Sequence, residues 1–203
     1  MPAARRLSLL AGGAVLGAAL WWRKHPSACP YSQRFWVDAP HPFITRARLR
    51  EILEPREGER LLEVGPGTGY YTLPVAERLS PAGRLDIVDV QQEMLDHTMG
   101  RAREAGLEQV QPARADVRDL PFAEDTFDGA YLVTVLGEVP DQDAALRELR
   151  RVVHPGGRIV VGELFGDPHM VTHSSLAAKA EAAGLRVERR VGGALWHFTR
   201  LQA

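Results

Sequence analysis

The sequence LLEVGPGTG, residues 61–69, passes from a short apolar run into three glycines at alternate positions. This pattern predicts a buried strand that ends in a tight turn and leads into a helix. Glycine accepts the positive φ that such a turn requires, and its bare backbone lets a ligand approach closely. The segment therefore predicts a binding site for a nucleotide-like molecule at the carboxyl end of a strand.

The spacing of these glycines separates two classes of cofactor. A dinucleotide-binding turn has the pattern G-x-G-x-x-G, and its third glycine, counted from Gly65, would fall at position 70, which is Tyr70. The carboxylate of Glu63 would repel a pyrophosphate, whereas it suits the ammonium or sulfonium group of S-adenosylmethionine. The loop therefore favours S-adenosylmethionine over NAD, which makes a dehydrogenase the weakest interpretation.

A second acidic residue follows about twenty positions later. The run LDIVDV, residues 85–90, reads as a buried strand with Asp89 near its carboxyl end. In doubly wound folds an acid at this place accepts hydrogen bonds from ribose hydroxyls. The alternative is a surface aspartate that caps the next helix. Because both cofactors contain a ribose, Asp89 indicates an adenosine ligand without choosing between them.

Four segments in order resemble the class I S-adenosylmethionine-dependent methyltransferases, in the branch of the ubiquinone and menaquinone biosynthesis and phospholipid methyltransferases. They are residues 63–69, Asp89 with residues 94–95, residues 116–122, and residues 127–128 with the later 155–157. The resemblance covers about residues 45–200. It implies an α/β fold, Rossmann-like, with a seven-stranded, mostly parallel sheet and a reversed last strand.

The resemblance also implies roles for individual residues. The backbone of the glycines would line the methionine part of the cofactor, Asp89 would hold the ribose, Asp116 would accept the adenine amine, and Thr134 would face the methyl group. The implied cofactor-binding set is Glu63, Gly65, Gly67, Gly69, Asp89, Val90, Asp116, Val117 and Thr134. The product would be S-adenosylhomocysteine, and no metal is required.

Candidates for a proton acceptor lie where predicted strands end, because open α/β sheets bind ligands at that edge. They are Glu138 after the fourth strand, Glu163 at the end of the fifth, and His169 in the following loop, where a plain surface histidine is the alternative. Relatives of this branch often carry histidine near position 138, so Glu138 departs from their pattern. The candidate substrate-binding side chains are Tyr31, Phe35, Tyr71, Phe165 and Met170.

The amino-terminal region predicts a membrane anchor. Residues 7–22 carry no charge and are flanked by two basic residues on each side. As a helix they would reach about 24 Å, short of the hydrocarbon core of about 30 Å, but flanking arginines and tryptophans can compensate. A cleaved signal peptide and a helix packed on the domain are the alternatives. Gly13 and Gly17 also permit a homodimer through this helix.

The chain therefore divides into an anchor helix (1–24), a neck rich in proline and aromatic residues (25–42) and a methyltransferase domain (43–203). Its net charge of −1 indicates no nucleic-acid partner. The single cysteine excludes an intramolecular disulfide and fits a reducing compartment. Together with the predicted anchor, this leads us to expect a membrane-anchored protein with its catalytic domain in the cytoplasm.

Within the domain the pattern alternates strands and helices, as in a parallel α/β sheet. A helix over 43–53 should cover the cofactor, a one-turn helix should lie between Asp116 and Phe127, and the last two strands should form a hairpin. Predicted strands are 60–64, 84–89, 109–114, 127–133, 157–164, 185–191 and 195–201. Predicted helices are 70–79, 91–105, 141–153 and 173–183.

These features predict methyl transfer to a lipophilic or membrane-resident acceptor. A phospholipid amine is slightly favoured, since Glu138 or Glu163 would attract its ammonium group. The alternatives are a quinone precursor, a small hydrophobic thiol or phenol, and a catalytically silent S-adenosylmethionine-binding module.

Overall fold

A computed structural model describes residues 26–33, 35 and 42–203. The predicted anchor helix (1–24), its G-x-x-x-G motif and part of the neck lie outside the described residues. Among those described, no helix is long and apolar enough to cross a membrane.

Seven strands form one sheet with the order β3-β2-β1-β4-β5-β7-β6. β7 is antiparallel to both of its neighbours, β5 and β6, while the other adjacent strands are parallel. The sheet confirms the predicted fold class, including the reversed last strand. The strands are β1 (Arg60–Val64), β2 (Arg84–Asp89), β3 (Val110–Arg114), β4 (Phe127–Val133), β5 (Val153–Leu164), β6 (Arg186–Gly192) and β7 (Trp196–Gln202).

Within the described residues, five α-helices cover the sheet and bury its two apolar faces. One core lies on each face, with Leu62, Leu132 and Leu149 in the first and Leu61, Leu79 and Phe198 in the second. The helices are α1 (Arg46–Leu53), α2 (Thr72–Leu79), α3 (Gln92–Glu104), α4 (Gln142–Val152) and α5 (His173–Ala182). Two short 3₁₀ helices, Tyr31–Gln33 and Leu136–Glu138, lie near the carboxyl ends of β2 and β4.

Three local predictions differ from the structure. No helix forms between Asp116 and Phe127, because two side chains of α4 bind the backbone of Leu120 in this segment. Glu148 accepts a hydrogen bond from the amide of Leu120, and Arg151 donates one to its carbonyl. β5 begins at Val153 rather than 157, and its register against β4 shifts between Phe127 and Gly129. Helix α1 begins at Arg46 rather than at 43, because Thr45 caps it, and it packs against β5 and β7. Its cover of the cofactor stays a prediction.

Candidate functional site

The turn between β1 and α2 depends on glycine. Gly65, Gly67 and Gly69 have φ values of +67°, +55° and +83°, which side chains disfavour. A Cβ atom at Gly65 would also lie 2.5 Å from Cγ2 of Val135. The turn therefore requires glycine at this position for space as well as for conformation, and it leaves bare backbone at the carboxyl end of β1.

Glu63 lies beneath this turn and is only 2% exposed. Its carboxylate accepts a hydrogen bond of 2.6 Å from the hydroxyl of Thr72, at the start of α2. Burial raises the pKa of Glu63 to about 7, although the bond from Thr72 opposes that shift. In this geometry Glu63 ties the end of β1 to α2, and contact with a positive charge of the cofactor stays a prediction.

The two predicted adenosine-binding acids lie at neighbouring strand ends. Asp89 ends β2, and its Oδ1 accepts a hydrogen bond of 2.9 Å from the amide of Gln91. Burial raises the pKa of Asp89. Asp116 follows β3 and forms an ion pair with Arg118, with 2.6 Å between Oδ2 and Nη2, and this contact lowers the pKa of Asp116. Arg118 was not anticipated as a partner of Asp116.

These groups fit S-adenosylmethionine. The turn offers bare backbone, Asp89 and Asp116 offer carboxylate acceptors for hydroxyl and amine groups, and Val90 between them is 43% exposed at the same edge of the sheet. An exposed valine beside two acids suits the face of an adenine ring, whereas the neighbouring Val117 is buried in the core.

Thr134 continues β4 with φ = +55°, a conformation that costs a residue with a side chain about 1–3 kcal/mol. Its amide donates to the carbonyl of Gly162 at 2.7 Å, and its hydroxyl donates to the carbonyl of Val133 at 2.7 Å. The hydroxyl is thus bound to its own strand. Strained backbone of this kind is concentrated at functional sites, which agrees with the predicted position of Thr134 near the methyl group.

Three carboxyl groups gather beyond β4 and β5. Glu138 accepts a hydrogen bond of 3.1 Å from the amide of Cys29. Burial raises the pKa of Glu138 to about 7, with a further contribution from the charges of Asp167 and Asp89. Glu163 is fully buried, and burial raises its pKa well above the ordinary value, with Asp167 and Glu138 adding to the shift. Sequence reasoning identified Glu138 and Glu163 but missed Asp167.

Asp167 has a partner, since its Oδ1 lies 3.9 Å from Nδ1 of His169, and this contact opposes the effect of burial on the pKa of Asp167. Oε2 of Glu163 accepts from the amide of Val171 at 3.2 Å, whereas its Oε1 has no hydrogen-bond partner among the described residues. Within the part of the chain that the structure describes, no group of three or more histidine, cysteine or acidic residues is arranged to hold a metal ion. Burial disfavours the charged forms of all three carboxyls and raises their pKa values.

The loop after β5 brings His169 close to Glu138. The His169 side chain is 4% exposed, so it is not a surface histidine. A Cβ atom at Gly137 would lie 2.1 Å from the carbonyl oxygen of His169, which shows how tightly the loop packs on the 3₁₀ helix that contains Glu138. Met170 is half-buried in this loop, but Phe165 is 69% exposed and does not roof an enclosed pocket.

The predicted aromatic residues do not surround one pocket. Tyr71 is buried, and its hydroxyl donates to the carbonyl of Ile44, which places it in the core beside α1. Phe35 is 74% exposed. Tyr31 packs on α3, where its ring meets the ring of His97 edge-on. Tyr31 lies near Asp89, because its amide donates to the side chain of Gln91, and the charge of Glu63 acts on Tyr71.

Residues 26–33, which we name the strap, cross the site. The amide of Cys29 binds Glu138 after β4, and Gln91 after β2 donates to the carbonyl of Cys29 at 2.9 Å. Since β1 lies between β2 and β4 in the sheet, the strap passes over the carboxyl end of β1, where the glycine turn lies. Sequence reasoning missed Gln91, whose position just after Asp89 was the available signal.

Comparisons with known proteins agree with this geometry. The profile of the ubiE/COQ5 methyltransferase family matches residues 41–176. The chain is 34% identical to a demethylmenaquinone methyltransferase of Bacillus velezensis over 60% of its own length and 54% of that protein. It is 32% identical to the Staphylococcus aureus demethylmenaquinone methyltransferase over 58% of its length and 48% of that protein. The chain thus spans about half the length of these curated relatives.

Among solved structures, a SAM-dependent methyltransferase from Aquifex aeolicus superimposes with a TM-score of 0.78 at 21% identity. The match covers 86% of this chain and 98% of that one, and it supports the fold. Fold, site geometry and family profile agree: the chain belongs to the ubiE/COQ5 methyltransferase family.

Proposed function

We propose that the chain transfers a methyl group to an aromatic quinone precursor rather than to a phospholipid amine. The similarity to demethylmenaquinone methyltransferases supports an acceptor of this class. The observation that carries the proposal is Glu138, a carboxyl group at the carboxyl edge of the sheet whose pKa is about 7. A group with this pKa is suited to accept a proton near neutral pH.

The chemistry of a quinone precursor needs such a group. When bound, S-adenosylmethionine supplies a methyl group activated by its sulfonium. In its reduced form a quinone precursor carries ring hydroxyls, and loss of a hydroxyl proton makes the ring nucleophilic. Ionised Glu138 would accept this proton, and the methyl group would pass from the sulfonium sulfur to a ring carbon, which then loses its own proton to solvent as the hydroxyl proton is returned and the ring becomes aromatic again. The glycine turn, Asp89 and Asp116 would hold the cofactor for this transfer.

The electrostatics of the site also favour a phenolic acceptor over an ammonium. Burial raises the pKa values of Glu138, Glu163 and Asp167, and the charge of Asp167 adds to the shifts of the two glutamates, so the charged forms of these groups are disfavoured. A protonated amine would have to give up its proton and its hydration to react here, with little fixed negative charge to attract it. A hydroxylated ring also gives up a proton, but it enters the site without a charge, so no hydration of a charge is lost.

A direct comparison of acceptors tests the proposal. The full chain is incubated with methyl-labelled S-adenosylmethionine and either a demethylmenaquinone in its hydroquinone form or vesicles that contain phosphatidylethanolamine. We expect label in the quinone, stoichiometric S-adenosylhomocysteine, and no labelled phospholipid. Label in the phospholipid alone would contradict the proposal. Binding of S-adenosylmethionine without product from any acceptor would instead support the catalytically silent module.

Glu138→Gln provides the matched control, because it preserves the size of the side chain and an acceptor for the amide of Cys29. With the quinone precursor we expect kcat to fall by about 10²–10⁴-fold, the usual contribution of a positioned base. The Kd of this variant for S-adenosylmethionine should equal that of the unmodified chain, since the glycine turn and both adenosine-binding acids are unchanged.

A further inference from the structure

Exposed apolar side chains gather at one end of the β5–β7 ladder. Phe165 is 69% exposed and Leu195 is 57% exposed, and the amide of Phe165 donates to the carbonyl of Leu195 at 2.6 Å. Phe43 is 45% exposed and stacks on Trp196, with 6.4 Å between ring centroids. We name these four residues the apolar tip. They lie at the carboxyl end of β5, the edge of the sheet that carries the functional site.

An arginine borders the apolar tip. The guanidinium carbon of Arg48 lies 4.3 Å from the ring centroid of Trp196, and its Nη1 donates to the carbonyl of Phe43 at 2.5 Å. Tryptophan and arginine are side chains that suit the boundary between headgroups and hydrocarbon, since each combines apolar surface with a polar group. The tip therefore resembles an interfacial surface more than an incompletely covered core.

A basic cavity of about 300 Å³ opens between α1 and α2, on the other side of α1 from the tip. The exposed side chains of Arg46, Arg50 and Arg78 line it, and none of the three forms an ion pair with a described residue. Glu77 is the one acid among the described lining residues, and Leu49 contributes to the apolar wall of the cavity. Arginine is suited to phosphate because its planar group donates several hydrogen bonds.

We propose that the apolar tip and the basic cavity together dock the domain on a lipid bilayer with anionic headgroups. The side chains of Phe43, Phe165 and Leu195 enter the interface, and the three arginines bind the phosphate groups of acidic lipids. Helix α1 joins the two surfaces, with Arg48 beside the tip and Arg46 and Arg50 beside the cavity. The inference goes beyond the proposed function, since it does not depend on which acceptor is methylated.

Charge complementarity favours a bilayer over a protein partner. Other arginines of the same region are paired with acids, such as Arg189 with Glu51 and Arg200 with Glu54. Those of the cavity form no ion pair among the described residues, and Arg46 lies 4.1 Å from the ring centroid of Tyr70. Each arginine near an anionic membrane surface contributes about a fivefold gain in binding.

The test must report on the tip itself, because residues 7–22 are expected to bind vesicles on their own. In the full chain, Cys29→Ser removes the single cysteine, and Leu195→Cys introduces a site for a nitroxide label. Its accessibility to oxygen and to a water-soluble nickel chelate is measured on phosphatidylcholine vesicles with and without phosphatidylglycerol. A label at Glu57→Cys, in an exposed turn before β1, is the matched control.

We expect the label at 195 to gain oxygen contact and lose chelate contact only when phosphatidylglycerol is present, while the label at 57 stays in water. Replacing Arg46, Arg50 and Arg78 with glutamine should shift docking by about a hundredfold toward the undocked state. Phe165→Ser should reduce the depth of the label. A label at 195 that stays in water on anionic vesicles, or that inserts equally without the three arginines, would overturn the proposal.

Discussion

Glu163 on β5 lies opposite His197 on β7, and the two side chains hold the same residue, Val171. Oε2 of Glu163 accepts from the amide of Val171 at 3.2 Å, and Nε2 of His197 donates to its carbonyl at 2.9 Å. Nδ1 of His197 then accepts from the hydroxyl of Thr199 at 3.0 Å. All three side chains are buried, so the end of the loop after β5 is fixed by polar contacts in apolar surroundings.

The first prediction concerns the pH dependence of this arrangement. Burial raises the pKa of Glu163 in the folded state above 4.5. Between pH 4.5 and the folded pKa, the folded state therefore binds more protons than the unfolded state. The stability contributed by protonated Glu163 is complete below pH 4.5 and is lost as the pH rises through the folded pKa. The glutamine in Glu163→Gln does not ionise. The free energy of unfolding of the variant, minus that of the unmodified chain, should therefore increase with pH.

Urea unfolding at a series of pH values measures this difference. Glu57→Gln is the control, because Glu57 is exposed in a turn and its replacement should change stability by a constant, small amount. Glu63 titrates in both proteins, so its contribution cancels in the comparison. Parallel stability curves for the unmodified chain and Glu163→Gln would show that Glu163 does not hold a proton in the folded state.

The second prediction concerns Glu138 as the proton acceptor. Only the ionised carboxylate accepts a proton, and its pKa is about 7, so kcat/KM should rise with pH through that value and then level. Glu138→Gln should abolish this rise, whereas Glu138→Asp should keep it at a reduced rate. If Glu138 only holds the strap through Cys29, the pH profile of Glu138→Gln will keep the shape of the unmodified profile. This outcome would show that Glu138 is not the proton acceptor.

Much of the sheet follows from local sequence. The limits of β1, β2 and β4 are predicted to the residue, because each is an apolar run that ends at glycine, aspartate or a polar residue. The glycine turn and its strand-end acids are predicted for the same reason: glycine spacing and the position of an acid after a strand are local properties. The reversed last strand follows from the short Gly192–Gly193 connection between the last two predicted strands.

The surroundings of the site depend on contacts between distant residues and are not visible in local patterns. The bond between Cys29 and Glu138 joins residues 109 positions apart, and the bond from Gln91 to Cys29 spans 62. Tyr71 was expected near the substrate because it follows the glycine turn, but its hydroxyl instead reaches Ile44, 27 positions earlier. No spacing rule predicts such partners.

The third prediction concerns the glycine turn. Gly65→Ala places a Cβ at φ = +67° and 2.5 Å from Val135, so it should displace the turn and lower the affinity for S-adenosylmethionine. Gly58→Ala has a similar φ of +82° but open space around it. We expect both variants to lose about 1–2 kcal/mol of stability from the left-handed backbone. Only Gly65→Ala should weaken cofactor binding in calorimetry; equal binding by the two variants would contradict a cofactor site at this turn.

The fourth prediction concerns the strap over that turn. Gln91 accepts from the amide of Tyr31 at 3.1 Å and donates to the carbonyl of Cys29, whereas the neighbouring Gln92 donates to Asp96. Two hydrogen bonds contribute about 0.5–1.5 kcal/mol each, so Gln91→Ala should speed hydrogen exchange at the Tyr31 amide by about tenfold.

Gln92→Ala is the matched control, because it removes a glutamine one position away without touching the strap. It should leave exchange at Tyr31 unchanged. If the strap closes over bound cofactor, S-adenosylmethionine should slow exchange at the same amide in the unmodified chain and in Gln92→Ala, and less in Gln91→Ala. Identical exchange in all three proteins, with and without cofactor, would mean that Gln91 does not hold the strap and that the strap does not respond to the site beneath it.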